Sequence, residues 1–225
     1  MPRILLAFSL CLVFAAAQAH DDSKHSIDRV NGGIRAEAGQ AYGDLSTVNG
    51  GITIASGATA EEVETVNGGV TIDDNATVTS ASTVNGGITA GEKVRVNKDL
   101  ETVNGGIRIN FNSNVGGDIG TVNGAITVRQ TEVGGRIRTI NGDITIGARS
   151  LVHGGILVEK PNRSGWNWGW GKQRIPRIVI GPDATVQGPL DFEREVELFV
   201  HTTAKIGKVT GATVQPYTDK LPEKQ

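Results

Sequence analysis

Thr47-Val48-Asn49-Gly50-Gly51-Ile52 is repeated, whole or with small edits, at residues 65–70, 83–88, 102–107, 121–126 and 139–144, and an earlier copy spans 29–34. The seven asparagines of these copies, Asn31, Asn49, Asn67, Asn85, Asn104, Asn123 and Asn141, follow one another at steps of 18, 18, 18, 19, 19 and 18 residues. A fixed period just under 20 residues is the mark of a repeat architecture. The fold is therefore read from one unit and its copies.

Three and five residues after each Asn stand apolar, mostly β-branched residues with a polar one between them, as in Ile52-Thr53-Ile54 and Ile107-Arg108-Ile109. Apolar, polar, apolar is the pattern of a half-buried strand. Its outward column is threonine at 53, 71, 89, 127 and 145 and arginine at 35 and 108. A valine or isoleucine precedes each Asn (Val30, Val48, Val66, Val84, Val103, Val122, Ile140), and from the second copy on a further apolar position comes three residues earlier (Leu45, Val63, Ala81, Leu100, Ile119, Ile137). Both columns are expected to face inward, with a bend between them. A third inward column is expected at Tyr42, Ala60, Val78, Val96, Val115, Val133 and Val152. Each unit thus reads as three short strands and three corners.

One such unit is unstable alone. About five buried apolar side chains contribute about 1.5–3 kcal/mol each, whereas ordering 18 residues costs about 1–2 kcal/mol per backbone. Stacking closes the gap, because every strand then pairs with its copy above and below and the core becomes continuous. The fold class that follows is all-β, a single-stranded parallel β-helix, or β-solenoid, of roughly nine to ten coils and about 45 Å at about 4.8 Å per coil. Asn-Gly is also a hairpin signal, but a hairpin meander reverses direction at each turn, and here the same sequence returns in the same orientation. The Asn-Gly pair is expected to make a corner by adopting positive φ. Like stacked on like, its amides form a hydrogen-bonded ladder.

The chain divides into six stretches. Residues 1–19, with basic Arg3, an apolar run and Ala17-Gln18-Ala19, read as a secretory signal peptide. Then come a polar segment (20–28), the Asn-Gly coils (29–158), a tryptophan-rich basic loop (159–176), two further coils (177–215) and a polar tail (216–225). The last coils are recognised because Ile178-Val179-Ile180-Gly181 and Val186-Gln187-Gly188 repeat the spacing of Ile144 to Gly147 and of Val152 to Gly154. Cys11 lies in the signal segment, so the mature chain has no cysteine for disulfides, thiol chemistry or metal. Its 21 basic and 24 acidic residues give no general drive toward nucleic acid. Export to the periplasm or cell surface is the expected location.

The Thr-Val-Asn-Gly-Gly-Ile copies resemble the adhesin-type β-helix domains of bacterial envelope proteins. The Ile-Gly, Ala-x-Val and Gly-x-Leu spacing from Ile178 to Val209 is similar to that of bactofilins, β-helices that polymerise. The first resemblance implies an envelope scaffold or adhesin, the second a self-assembling structural protein. Neither implies a catalytic residue.

Gly165-Trp166-Asn167-Trp168-Gly169-Trp170-Gly171 holds all three tryptophans, with Lys160, Arg163, Lys172, Arg174 and Arg177 around it. Loops that interrupt a solenoid often form its binding surface. Tryptophan stacks on sugars or sits at lipid interfaces, and the cations suit phosphate-bearing groups. Trp166, Trp168, Trp170, Lys160, Arg163, Lys172 and Arg174 are the candidate contact residues for an envelope glycan, lipid headgroups or another envelope protein. The alternative is that the tryptophans cover an apolar face of the solenoid. The rod's ends are a second candidate surface, for self-association.

An enzyme, carbohydrate-active as many β-helices are, finds less support. His20, His25, His153 and His201 are scattered, with no serine or acid in repeat register around them, and Asp73, Asp74, Asp99, Asp118 and Asp143 read as occupying different positions of the repeat. His153 is expected to be an outward surface residue. His20, Asp21, Asp22 and His25 have metal-ligand chemistry but no diagnostic spacing, and no cofactor or metal is expected.

Overall fold

A computed structural model describes residues 24–161 and 174–219. The expected signal peptide, His20 to Ser23, residues 162–173 and the end of the tail lie outside the described residues. Within them the chain is a parallel β-solenoid with strands and turns and no helix, in about ten turns. The three-residue strands Ile34–Ala36, Ile52–Ile54, Val70–Ile72, Ile88–Ala90, Ile107–Ile109, Ile126–Val128 and Ile144–Ile146 stack in that order and continue into Arg177–Ile180, Glu197–His201 and Val214–Tyr217. Identical positions meet in this ten-stranded sheet, as Ile52 with Val70 and Ile107 with Ile126. In each of the seven repeat strands the flanking side chains are buried and the central Thr or Arg points outward, as the alternation requires.

The second, broader sheet changes character along the rod. In the front coils it is built of long unbroken strands, Tyr42–Asn49, Thr59–Asn67 and Thr77–Asn85, so these coils have two strands rather than the expected three. From Arg95–Val96 and Leu100–Asn104 onward each long strand is split in two. One extra residue is the cause. Thr79-Ser80 joins Val78 to Ala81, whereas Asn97-Lys98-Asp99 joins Val96 to Leu100, and three residues force a corner where two continue a strand. That insertion produces the 19-residue steps. The step returns to 18 at Asn141 because the opposite turn shortens to Arg129-Gln130-Thr131.

The expected inward valines point outward, and the threonines beside them point in. Thr47, Thr65, Thr83, Thr102, Thr121 and Thr139 are at most 5% exposed, while Val48, Val66, Val84, Val103, Val122 and Ile140 are half-buried on the outer face. Alternation from Leu45 to Asn49 is therefore unbroken, and no bend lies there. A buried hydroxyl is tolerated because it has a partner. Thr65, Thr83 and Thr102 donate to the carbonyls of Gly50, Gly68 and Gly86 in the preceding coil, each at 2.8 Å.

The Asn-Gly corner is also built differently from the expectation. Within the repeated phrase only Gly32 has positive φ, at 100°. The first glycine is required by proximity instead: a Cβ on Gly50, Gly68, Gly86, Gly105, Gly124 or Gly142 would collide with the carbonyl of the equivalent glycine one coil earlier. The second glycine has more room, with 3.0–3.2 Å from a Cβ at Gly51, Gly69 or Gly87 to the nearest carbonyl, and Ala125 and Asp143 take its place in two coils. Positive φ occurs at the other corner, after the short strands, at Gly39, Gly57, Asn75, Lys93, Asn112, Gln130, Arg149 and Asp183. The amide ladder is as expected: each Asn Nδ2 donates to Oδ1 of the Asn before it, from Asn141 back to Asn31, at 2.9–3.0 Å.

The core is one column of Ile, Val, Leu and Ala running the length of the rod. The first strand, His25–Asn31, reaches into the segment read as polar and pairs there with Tyr42–Asn49. At the other end Pro216, placed by the sequence reading in the polar tail, lies inside the edge strand Val214–Tyr217 opposite Val200. An edge position tolerates proline because its missing N–H has no partner to lose.

Candidate functional site

The repeat register survives the interruption. Ile144 and Ile146 pair with Ile178 and Ile180, and Ile156 and Val158 pair with Leu190 and Phe192. The stretch from Glu159 to Pro176 is thus inserted within a single coil, and both of its roots are fixed. Glu159 N donates to Thr139 O at 2.9 Å, and Lys160 N donates to Glu193 Oε2 at 3.2 Å. On the returning side Asp143 holds two groups: its Oδ2 is ion-paired with Arg174, and its Oδ1 accepts from Arg177 N at 2.9 Å. The Arg177 guanidinium lies 4.6 Å from the centroid of the Phe199 ring, a cation–π arrangement.

Arg194 ties these roots to the ladder. Its Nη1 donates to Ile140 O at 2.9 Å and to Asn141 Oδ1 at 2.7 Å, and its Nη2 donates to Arg174 O at 3.0 Å. The last amide acceptor of the Asn file is thereby capped. Sequence reasoning missed both Asp143 and Arg194. A signal for Asp143 was present, because the last phrase reads Thr-Ile-Asn-Gly-Asp where the others have Gly or Ala. For Arg194, 53 residues from its ladder partner, the sequence carries none.

Of the candidate contact residues, Arg174 is half of the Asp143 ion pair and Lys160 stands at the root through its backbone. Trp166, Trp168, Trp170, Arg163 and Lys172 lie outside the described residues.

A polar cluster lies beside the outgoing root. Gly120 has no side chain between Glu101 and Arg138 in the stacked outer column. Arg138 reaches across it to Glu101 at 3.0 Å and also contacts Asp118 at 3.3 Å. Burial raises the carboxyl pKa of Glu101, against the lowering by Arg138, and it does the same at Glu159. The depression lined by Glu101, Gly120, Arg138, Ile140 and Glu159 encloses about 10 Å³, roughly the space of one water. An open trough of about 330 Å³ lies over Thr71, Asp73, Asp74 and Thr89.

Asp99 and Asp118, expected at different repeat positions, stack in equivalent ones. Asp99 Oδ1 accepts from Asp118 N at 2.6 Å, and Asp118 Oδ1 accepts from Arg136 N at 2.7 Å. The carboxylates satisfy backbone donors at the extra corner. His153 is outward as expected, between Glu132 at 3.0 Å and Gln187 at 2.9 Å, and these hydrogen bonds raise its pKa. Among the described residues, no three His, Cys, Asp or Glu side chains are grouped to hold a metal ion. Comparison with protein-family models, with curated proteins and with solved structures found no match for this chain.

Proposed function

We propose that this protein is a non-enzymatic, extracytoplasmic scaffold that presents the tryptophan-rich basic segment to the cell envelope. The observation that carries this reading is the bracketing of the insertion. Coils pair in register on both sides of it, and Asp143, Glu193 and Arg194 fix its two roots on a rigid column. A stacked solenoid holds the two roots of such a segment in constant positions, because every coil is held by two neighbours. Three tryptophans among five cations suit a surface that combines anionic groups with stackable or apolar ones, which describes phosphorylated glycans and anionic lipid headgroups.

The test is co-sedimentation of the purified mature chain with anionic vesicles and with insoluble envelope glycan, alongside the triple variant Trp166→Ala, Trp168→Ala, Trp170→Ala. The parent is expected to pellet with at least one of them. The variant is expected to stay in solution while keeping the β-type circular dichroism. A variant that pellets like the parent, or that unfolds because its tryptophans cover core, contradicts the reading.

A further inference from the structure

We propose that Asn31, the first asparagine of the file, is a site of spontaneous chemical modification, where the side-chain amide is converted to aspartate and isoaspartate while the six later copies stay intact. The inference does not involve the tryptophan segment. It rests on what surrounds each Asn-Gly pair.

The chemistry belongs to the dipeptide. The backbone nitrogen of the following residue attacks the Asn Cγ: the N–Cγ bond forms, the Cγ–Nδ2 bond breaks, the attacking nitrogen gives up its proton and Nδ2 leaves as ammonia. Water then opens the five-membered succinimide at either carbonyl, so the product is aspartate or isoaspartate, the latter with one methylene more in the main chain. Glycine, having no Cβ, hinders this closure least, and asparagine is accordingly a thermolabile residue. All seven phrases carry Asn-Gly. The surrounding coils decide which pairs can react.

At the later pairs both partners in the closure are held. Asn49, Asn67, Asn85, Asn104 and Asn123 each donate through Nδ2 to the preceding amide and accept through Oδ1 from the following one. The glycines after them are half-buried and lie against the glycine carbonyl one coil earlier. Asn141, where the insertion interrupts the file, is fixed by other means. Its Oδ1 accepts from Arg194 Nη1 at 2.7 Å, Gly142 N donates to Thr139 Oγ1 at 2.9 Å, and Gly142 is buried.

Asn31 differs in each respect. Its Oδ1 accepts from Asn49 Nδ2 at 3.0 Å, but among the described residues its own Nδ2, the leaving group, has no acceptor. Gly32 is exposed, with nothing within 4 Å of the place a Cβ would take. Gly32 N donates to Asn49 O at 2.9 Å, as Gly50 N does to Asn67 O at 3.1 Å, so that bond does not separate the first pair from the second. The unheld amide and the open glycine do. The front coil also has a neighbour on one side only, where interior coils have two, and local opening costs least at such ends.

The direction of the ladder makes the product tolerable at this position. A carboxylate at residue 31 keeps the acceptor that Asn49 needs and gives up only an unused donor. At residue 67 it would set an oxygen against Asn49 Oδ1 and lose that rung. The result is one added negative charge at the front of an uncharged file, with the ladder kept.

The test follows conversion at each Asn-Gly pair by peptide mass mapping of the purified mature chain in mildly alkaline buffer, with isoaspartate identified by an isoaspartyl methyltransferase. The same chain unfolded in guanidinium chloride is the reference. In the native protein Asn31 is expected to convert several-fold faster than each of the other six, and on unfolding the seven rates draw level. Asn31→Asp is expected to melt like the parent and Asn67→Asp at a lower temperature. Equal rates in the native chain, fastest conversion at Asn141 or an interior pair, or an Asn31 that survives while the unfolded chain is fully converted overturns the proposal. An Asn31→Asp chain as destabilised as Asn67→Asp also overturns it, because the amide nitrogen at residue 31 is then in use.

Discussion

The two corners that flank each short strand of this solenoid obey different constraints. At the Asn-Gly corner the sequence hardly varies, although only Gly32 there has positive φ. At the opposite corner positive φ recurs at eight positions, filled by Gly, Asn, Lys, Gln, Arg and Asp. The difference is what the neighbouring coil allows. Backbones touch at the first corner, so a side chain has nowhere to go. Side chains at the second project into solvent, and any residue able to bear the left-handed conformation serves. Repetition in this sequence tracks contact between coils more than it tracks the sharpness of a turn.

That contrast is open to attack by substitution. The largest effect is expected from Gly68→Ala, whose Cβ meets the Gly50 carbonyl. A cost of about 3 kcal/mol, the upper end for overpacking, should appear in urea unfolding. Asn67→Ala removes two rungs of the ladder, its bonds to Asn49 and Asn85. On an exposed edge this should cost about 1 kcal/mol, leaving vesicle or glycan binding unchanged. At the opposite corner the sign reverses. Lys93 has φ 56°, so Lys93→Gly relieves left-handed strain and, after the entropy cost of glycine, should stabilise by about 0.5 kcal/mol.

The smallest change belongs on the strand between the corners. Burial, then the charges of Glu62 and Asp44, raise the Glu64 carboxyl pKa, against a hydrogen bond from Ser82. A raised pKa means that the folded chain takes up the proton first. The stability this contributes is present at low pH and is lost as pH climbs through the folded value. Glu64→Gln should flatten that loss by a few tenths of a kcal/mol, the group being partly exposed and screened. Thermal melts at several pH values give the slope.

Much of the fold was legible in the sequence because its physics is periodic. The steps between asparagines, the Ile-x-Ile strands and the amide ladder all follow from stacking like on like, and they lie where the repeat placed them. What escaped was decided by neighbours one coil away. The facing of Thr102 cannot be read from the sequence and is decided by the Gly86 carbonyl beneath it. Gly86 reads as a turn glycine until the Gly68 carbonyl is seen beside it. The split of the broad sheet was written in one extra residue, Asn97-Lys98-Asp99 in place of Thr79-Ser80, which a count of the period registers without locating. At the insertion, Asp143 broke the phrase visibly, whereas the hold of Arg194 on Asn141 depends on coils stacked across the interruption.

The claim that contact between coils fixes the repeated phrase is tested most directly by two adjacent glycines that the sequence treats alike. A Cβ at Gly86 collides with the Gly68 carbonyl, whereas one at Gly87 lies 3.0 Å from the Gly106 carbonyl, close to the situation that Ala125 already tolerates. Urea unfolding of Gly86→Ala and Gly87→Ala should show a loss at residue 86 several times that at residue 87. Equal losses, or the larger one at Gly87, would contradict the account.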